Sequence, residues 1–160
     1  MKSELENILH NFNVDKTKKK QVFKQVAKIK RKSIDSIFHA AHQKVFKQIN
    51  CLDCANCCKT TSPIFRDADI ARLAKHLRLK PAKFIDSYLY LDKDQDYVLK
   101  SSPCPFLNGD NTCTVYEYRP LACKGYPHTD RKNMHQLLKL TEKNTEICPA
   151  VCEIVETIVK

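Results

Sequence analysis

The chain has 160 residues, 29% of them charged, a formal net charge of +10, nine cysteines, two glycines and no tryptophan. That length favours one domain with an extension over two separate domains. No run of about 18 apolar residues exists, which excludes a membrane-spanning helix.

The first 50 residues are Lys-rich and lack an apolar run of signal-peptide length, so the chain is expected in a reducing cytoplasm. Its cysteines are then thiolates, and an odd count fits poorly with a closed disulfide set. Charge is spread unevenly. Residues 1–50 carry twelve Lys or Arg against four Asp or Glu, and residues 51–160 carry sixteen against fourteen. Coordinating thiols are deprotonated, so metal binding would take the second segment from slightly basic to neutral or acidic. The expected organisation is a basic helical extension over 1–50 and a cysteine-cluster metal-binding domain over 51–160. The expected fold class is α+β, mostly helical, organised by metal rather than by a sheet.

In chain order, residues 3–12 predict a short helix with Ser3 as its cap. Residues 13–50 predict one or two longer helices. Val22, Val26 and Ile29, then Ile34, Ile37, Phe38, Ala41, Val45, Phe46 and Ile49, recur near a 3.6-residue period, with a break or renewed cap at Ser33–Asp35. Nine basic residues lie between Lys16 and Lys32. They read as a solvated helix face or as the contact for a nucleic-acid or protein partner such as the ribosome. Asp67 and Asp69 suit a helix start, followed by Ile70, Leu73, Ala74 and Leu77 on one stripe. Pro81 opens a second helix with Phe84, Ile85, Tyr88 and Leu89. Two helices that pack together account for this better than a DNA-reading helix-turn-helix, because the connection lacks Gly and the second helix offers few base-reading side chains. Asp92–Asp96 reads as an acidic turn and Tyr97–Leu99 as a short strand. Pro103–Tyr116 reads as a hairpin around Asn108-Gly109. Gly125–His128 is a further turn, residues 133–140 a short helix or strand, and Cys148-Pro149 opens a last helix that buries Val151, Ile154, Val155 and Ile158.

The strongest signal is Cys51-Leu-Asp-Cys54-Ala-Asn-Cys57-Cys58. On a continuous helix these four sulfurs would fall within an arc of roughly 120°; in a turn they would still be neighbours. Cys104, Cys113, Cys123, Cys148 and Cys152 are expected to fold back onto them. Zinc takes four thiolates, often as paired C-x₂₋₄-C. Iron–sulfur clusters use C-x₂-C-x₂-C with a distant Cys-Pro, a spacing also present here, with Cys104-Pro105 and Cys148-Pro149 as candidates. Adjacent Cys57 and Cys58 suit two metals or a bridging thiolate. Eight cysteines divide into two sets of four, and Cys152, beside the apolar face of the last helix, is the candidate spare.

The order of Cys51–Cys58, Cys104-Pro-Phe-Leu, Cys113-Thr-Val-Tyr-Glu-Tyr-Arg-Pro-Leu-Ala-Cys123, Tyr126-Pro127 and Cys148-Pro149 resembles the YkgJ-type cysteine-cluster family of CxxCxxCC zinc- or iron-chelating domains, over roughly residues 50–155. The resemblance implies that Cys51, Cys54, Cys57, Cys58, Cys104, Cys113, Cys123 and Cys148 are the metal ligands. It leaves zinc against iron open. A related cluster occurs in flagellin lysine methylases, which implies that some relatives are enzymes. The chain departs from the pattern at Asn56, where Gly is common; Asn also tolerates left-handed backbone. The basic extension and Cys152 lie outside the pattern.

Among other residues, His128 is a candidate ligand or proton donor, or a plain turn residue. His39, His42 and His76 read as ordinary helix residues. Arg119 is a candidate to offset thiolate charge or to bind an anionic substrate, with Glu117 orienting it. No Ser/His/Asp set, phosphate loop, dinucleotide fingerprint or paired catalytic carboxylates can be read. The function expected is metal binding, with zinc or iron and in one variant an iron–sulfur cluster. The alternatives are an iron–sulfur enzyme that modifies a protein or RNA, and an RNA- or ribosome-associated factor acting through the basic helices.

Overall fold

A computed structural model describes residues 2–160, with side chains from Glu4 onward. Among the described residues are nine α-helices, three 3-10 turns and one two-stranded antiparallel sheet, a mostly helical α+β architecture. The chain forms two compact units. One comprises Met1–Cys54 with Pro127–Lys160, the other Ala55–Tyr126. Contacts thus divide the chain differently from charge: the basic first 50 residues share a unit with the C-terminal helix.

In the first unit, α1 (Lys2–Val14), α2 (Lys16–Val26) and α3 (Arg31–Phe46) pack against α9 (Pro149–Val159). Ser3 lies within α1, and its role as a cap falls outside the described side chains. The Asp15 side chain accepts the Lys18 amide at 2.8 Å and caps α2. This satisfies one of the four donors that a helix start leaves open. The break before α3 comes at Ala27–Lys30, not at Ser33–Asp35. Asp35 lies in the first turns of α3, and its carboxylate instead accepts the amides of Asn133 and Met134, both at 2.8 Å. Those bonds hold its carboxyl below the usual carboxylate range. Residues 133–140 are helical, with a 3-10 turn at Met134–Gln136 followed by α8 (Leu138–Asn144).

Ile34, Phe38, Ala41 and Val45 form the buried stripe of α3 and meet Val22, Phe23 and Val26 of α2. From α9 come Val151, Ile154 and Val155, with Ile158 half-buried at the rim. Pro149 starts α9, where a missing N–H costs nothing. Of the nine basic residues between Lys16 and Lys32, all but Lys19 are exposed. Lys18 pairs with Glu156 at 2.5 Å and Lys19 with Glu146 at 3.4 Å.

The second unit has its own core. Here α5 (Asp67–His76) and α6 (Pro81–Tyr88) pack on each other and on β1 (Leu89–Leu91) and β2 (Tyr97–Leu99). Leu89 pairs with Leu99, so Leu89 opens a strand rather than continuing the stripe of α6. Phe65, Ile70, Leu73, Ala74, Phe84, Leu89, Leu99, Phe106 and Val115 are buried together, with Cys104 and Cys113 packed at the edge. The segment expected as a hairpin is a compact loop with a single bridge, Leu107 to Cys113. Its left-handed residue is Asn111 (φ 67°), not Gly109. The Asn111 amide donates to the Asn108 carbonyl at 3.1 Å. No described helix is long and apolar enough to cross a membrane.

Candidate metal centre

The cysteine motif is neither one helix nor one turn. Cys51–Asp53 forms a 3-10 turn, in which the Asn50 side chain accepts the Leu52 amide at 3.0 Å and the Cys54 amide reaches the Cys51 carbonyl at 3.1 Å. Ala55 then takes a left-handed conformation (φ 49°, ψ 23°), and α4 (Asn56–Thr60) carries Cys57 and Cys58. The left-handed residue is therefore Ala55; Asn56, the residue singled out for that role, starts the helix. This break removes the single helical face on which four sulfurs would lie. It also falls where the chain passes from one unit to the other. A left-handed residue with a Cβ is unfavourable by about 1 kcal/mol or more and persists only where its surroundings enforce it.

The first unit holds Cys51, Cys54 and Cys148, together with Cys152. Cys148 stands at the start of α9. Burial pushes its thiol up to about 12, with the charges of Cys51 and Cys54 acting in the same direction. Cys152 is 1% exposed, inside the helical core. Its Sγ lies 3.3 Å from the Thr145 carbonyl, to which it donates, and burial pushes it up to about 12. It behaves as a small protonated core residue.

The second unit holds Cys57, Cys58, Cys104, Cys113 and Cys123. The Cys57 and Cys58 sulfurs are 4.0 Å apart. The Cys104 amide donates to the Cys58 carbonyl at 2.8 Å, which ties the Cys104 loop to α4. Cys113 is set by its bridge to Leu107, and Cys123 lies in α7 (Leu121–Gly125). Cys58 is drawn down to about 7 by its hydrogen bond with Cys57, then by Arg119 and Lys59. Burial raises Cys104 and Cys113, and takes Cys123 up to about 12; the charges of Cys58, Cys104 and Cys113 add to the rise at Cys123. The eight predicted ligands thus lie three in one unit and five in the other, where counting alone suggested four and four. No described cysteine forms a disulfide. Among the described residues, no group of three or more His, Cys, Asp or Glu stands in a geometry that would hold a metal ion.

Sequence reasoning missed the support beneath Arg119. Asp69, 3% exposed, accepts the Arg66 amide at 3.0 Å, Arg72 Nη2 at 2.7 Å and the Leu121 amide at 3.1 Å. Burial pushes its carboxyl up, but these donors outweigh that and hold it below the usual carboxylate range. Arg72 Nη2 also donates to the Arg119 carbonyl at 2.8 Å. The available signal was Asp69 and Arg72 three apart on one helix, a spacing that brings side chains together. Arg119 lies with Cζ 3.5 Å from the Tyr116 ring centroid, while Glu117 is exposed. In the first unit, His128 takes a left-handed turn (φ 64°), with Arg131 Nη2 3.3 Å from its Nδ1. His42 is not an idle helix residue: its Nδ1 lies 2.8 Å from the buried Thr129 hydroxyl.

The donor chemistry fits a soft or borderline cation. Thiolates are the preferred ligands of Zn²⁺ and of iron–sulfur clusters, and five cysteines lie in one unit. The family model described as "CxxCxxCC: Putative zinc- or iron-chelating domain" matches residues 50–153. No curated protein and no solved structure matches the chain. The match takes in Cys51 through Cys152, well over half the sequence, and the chain belongs to this CxxCxxCC zinc- or iron-chelating family.

Proposed function

We propose that the protein binds zinc or iron through eight cysteines in two centres. One draws on Cys51, Cys54 and Cys148, the other on Cys57, Cys58, Cys104, Cys113 and Cys123. The observation that carries this reading is the placement of five cysteines in one unit, with the Cys57 and Cys58 sulfurs 4.0 Å apart and the Cys104 loop tied to Cys58 by a 2.8 Å backbone hydrogen bond. Cys104, Cys113 and Cys123 are raised by burial and by neighbouring thiolate charge, and a divalent cation relieves such a set by replacing its protons.

The count of five favours a second reading of the same centre. One tetrahedral zinc takes four thiolates, so a bridged pair of ions or an iron–sulfur cluster uses the set more fully; an iron–sulfur enzyme acting on protein or RNA is the alternative function compatible with such a cluster. Either reading places the chain in a reducing compartment such as the cytoplasm, because disulfides would consume the ligands. The nucleic-acid or protein partner at Lys16–Lys32 rests on charge alone.

The test is elemental analysis with an absorption spectrum on the full chain purified without oxygen. About two zinc ions per chain without colour supports two thiolate centres. Iron with acid-labile sulfide and a brown chromophore supports the cluster. Absence of both metals, after reconstitution with each, overturns metal binding.

A further inference from the structure

We propose that Arg119 is the built-in counter-charge of the metal–thiolate centre of Ala55–Tyr126, donating its Nε–H to a cysteine sulfur of that centre. The role rests on the metal reading above and assigns a residue outside the ligand set. Arg119 is fixed by its side chain and its backbone. Its guanidinium lies over the Tyr116 ring at 3.5 Å, the geometry of a cation–π contact. Its carbonyl is held by Arg72, and the next amide but one, Leu121, is held by Asp69. The backbone is therefore tethered at Arg119 itself and again two residues on.

Against this fixed frame, the Arg119 Nε is buried and meets no acceptor among the described residues. A buried N–H without an acceptor is unfavourable, and a guanidinium cannot shed its charge to escape. Asp69 is already engaged by three donors. Backbone hydrogen bonds tie both sides of Arg119 to two of the cysteines: the Tyr116 amide donates to the Cys113 carbonyl at 3.3 Å, and the Cys123 amide donates to the Pro120 carbonyl at 3.0 Å. The Arg119 charge acts in the same direction on Cys58, Cys113 and Cys123. Four thiolates around a divalent ion carry a net double negative charge, delocalised onto sulfurs that accept hydrogen bonds. Deprotonation on metal binding thus supplies the acceptor that Nε lacks, and the guanidinium supplies the charge that the centre lacks. Hydrogen bonds of this kind tune metal affinity and, for iron–sulfur centres, reduction potential.

The test uses the reduced full chain without oxygen, with Zn²⁺ and Co²⁺ as probes. Zinc affinity is read by competition with a chromophoric chelator, and the cobalt form by its thiolate-to-metal charge-transfer band. Arg119→Met is expected to weaken zinc binding about 10–100-fold and to move the cobalt band to longer wavelength, since an unbonded thiolate gives up charge more readily. Arg119→Lys, which keeps the charge but not the Nε donor, is expected to recover most of the affinity without restoring the band. If Arg119→Met does not fold, the band of Arg119→Lys alone decides. Wild-type affinity and an unshifted band in the folded variants overturn the proposal while leaving metal binding intact. A wild-type chain that takes up neither ion defeats the metal reading itself.

Discussion

The two units solve the problem of staying folded in different ways. The helical unit buries fourteen core residues, from Phe12 to Val155, and assigns three cysteines to the predicted ligand set. The apolar cluster of the Ala55–Tyr126 unit holds nine, and the unit carries five. Apolar burial contributes about 25 cal/mol per Å², and small cores need additional constraints to remain folded. On the proposed ligand assignment, metal would contribute little to the stability of the first unit and more to that of the second.

Chelation is expected to show the largest effect. Structural zinc in small domains contributes on the order of 10 kcal/mol to folding. Stripping metal should therefore expose the backbone amides of β1, β2 and α7 to rapid hydrogen exchange while α3 and α9 remain protected. Equal loss of protection in both units would erase the contrast. Next is Phe38→Ala, at the centre of the helical core and 0% exposed. It should cost about 3–5 kcal/mol and by the same amount with and without metal, read from urea melts. A metal-dependent cost would mean that the helical core leans on the thiols.

Asp69→Asn follows, at about 2–3 kcal/mol, because it weakens the acceptor for Arg72 and two amides in a buried position. The same group gives a pH signature. Its carboxyl titrates lower in the folded chain than its ordinary value of 3.8. Its stabilisation is thus complete above that value and lost as the pH falls through the depressed one. The variant should flatten the acid limb of the stability profile of Ala55–Tyr126. Smallest is Ala55→Gly. Glycine accepts left-handed backbone without a Cβ clash, so apart from the entropy it adds to the unfolded chain the change should be neutral or stabilising by up to about 1 kcal/mol, measured as a shift in urea midpoint. A clear loss would mean that the buried Ala55 methyl matters more than the turn.

Periodicity recovered most of the helices, because burial of one stripe is a local property of sequence: Ile34, Phe38, Ala41 and Val45 announce α3, and Ile70, Leu73 and Ala74 announce α5. The fold class followed from the same stripes. Local signals failed where distant partners decide. Asp35 looked like part of a helix break but serves the amides of Asn133 and Met134, 98 and 99 residues away. Leu89 fits the stripe of α6 yet pairs with Leu99. At the centre, the family was legible from the cysteine spacing, because no other residue type clusters in this pattern. The cysteines' three-and-five distribution was not, since it depends on where α9 and Pro127 return to the first unit. The turn within the motif was misplaced by one residue, since Asn is the more usual left-handed residue and the packing around Ala55 is not a local property.

The burial of Cys152 gives the molecule an internal reporter. An alkylating reagent reaches a thiol only when that sulfur is solvated, so eight cysteines should react at rates set by metal occupancy. The ninth, 1% exposed within the helical core, should wait for that core to open. In mass spectrometry of the labelled chain, the eighth adduct would record release of metal and the ninth the unfolding of α9, two events separated on one time axis. A ninth adduct that appears together with the others would place the opening of the helical core and the loss of metal in a single step.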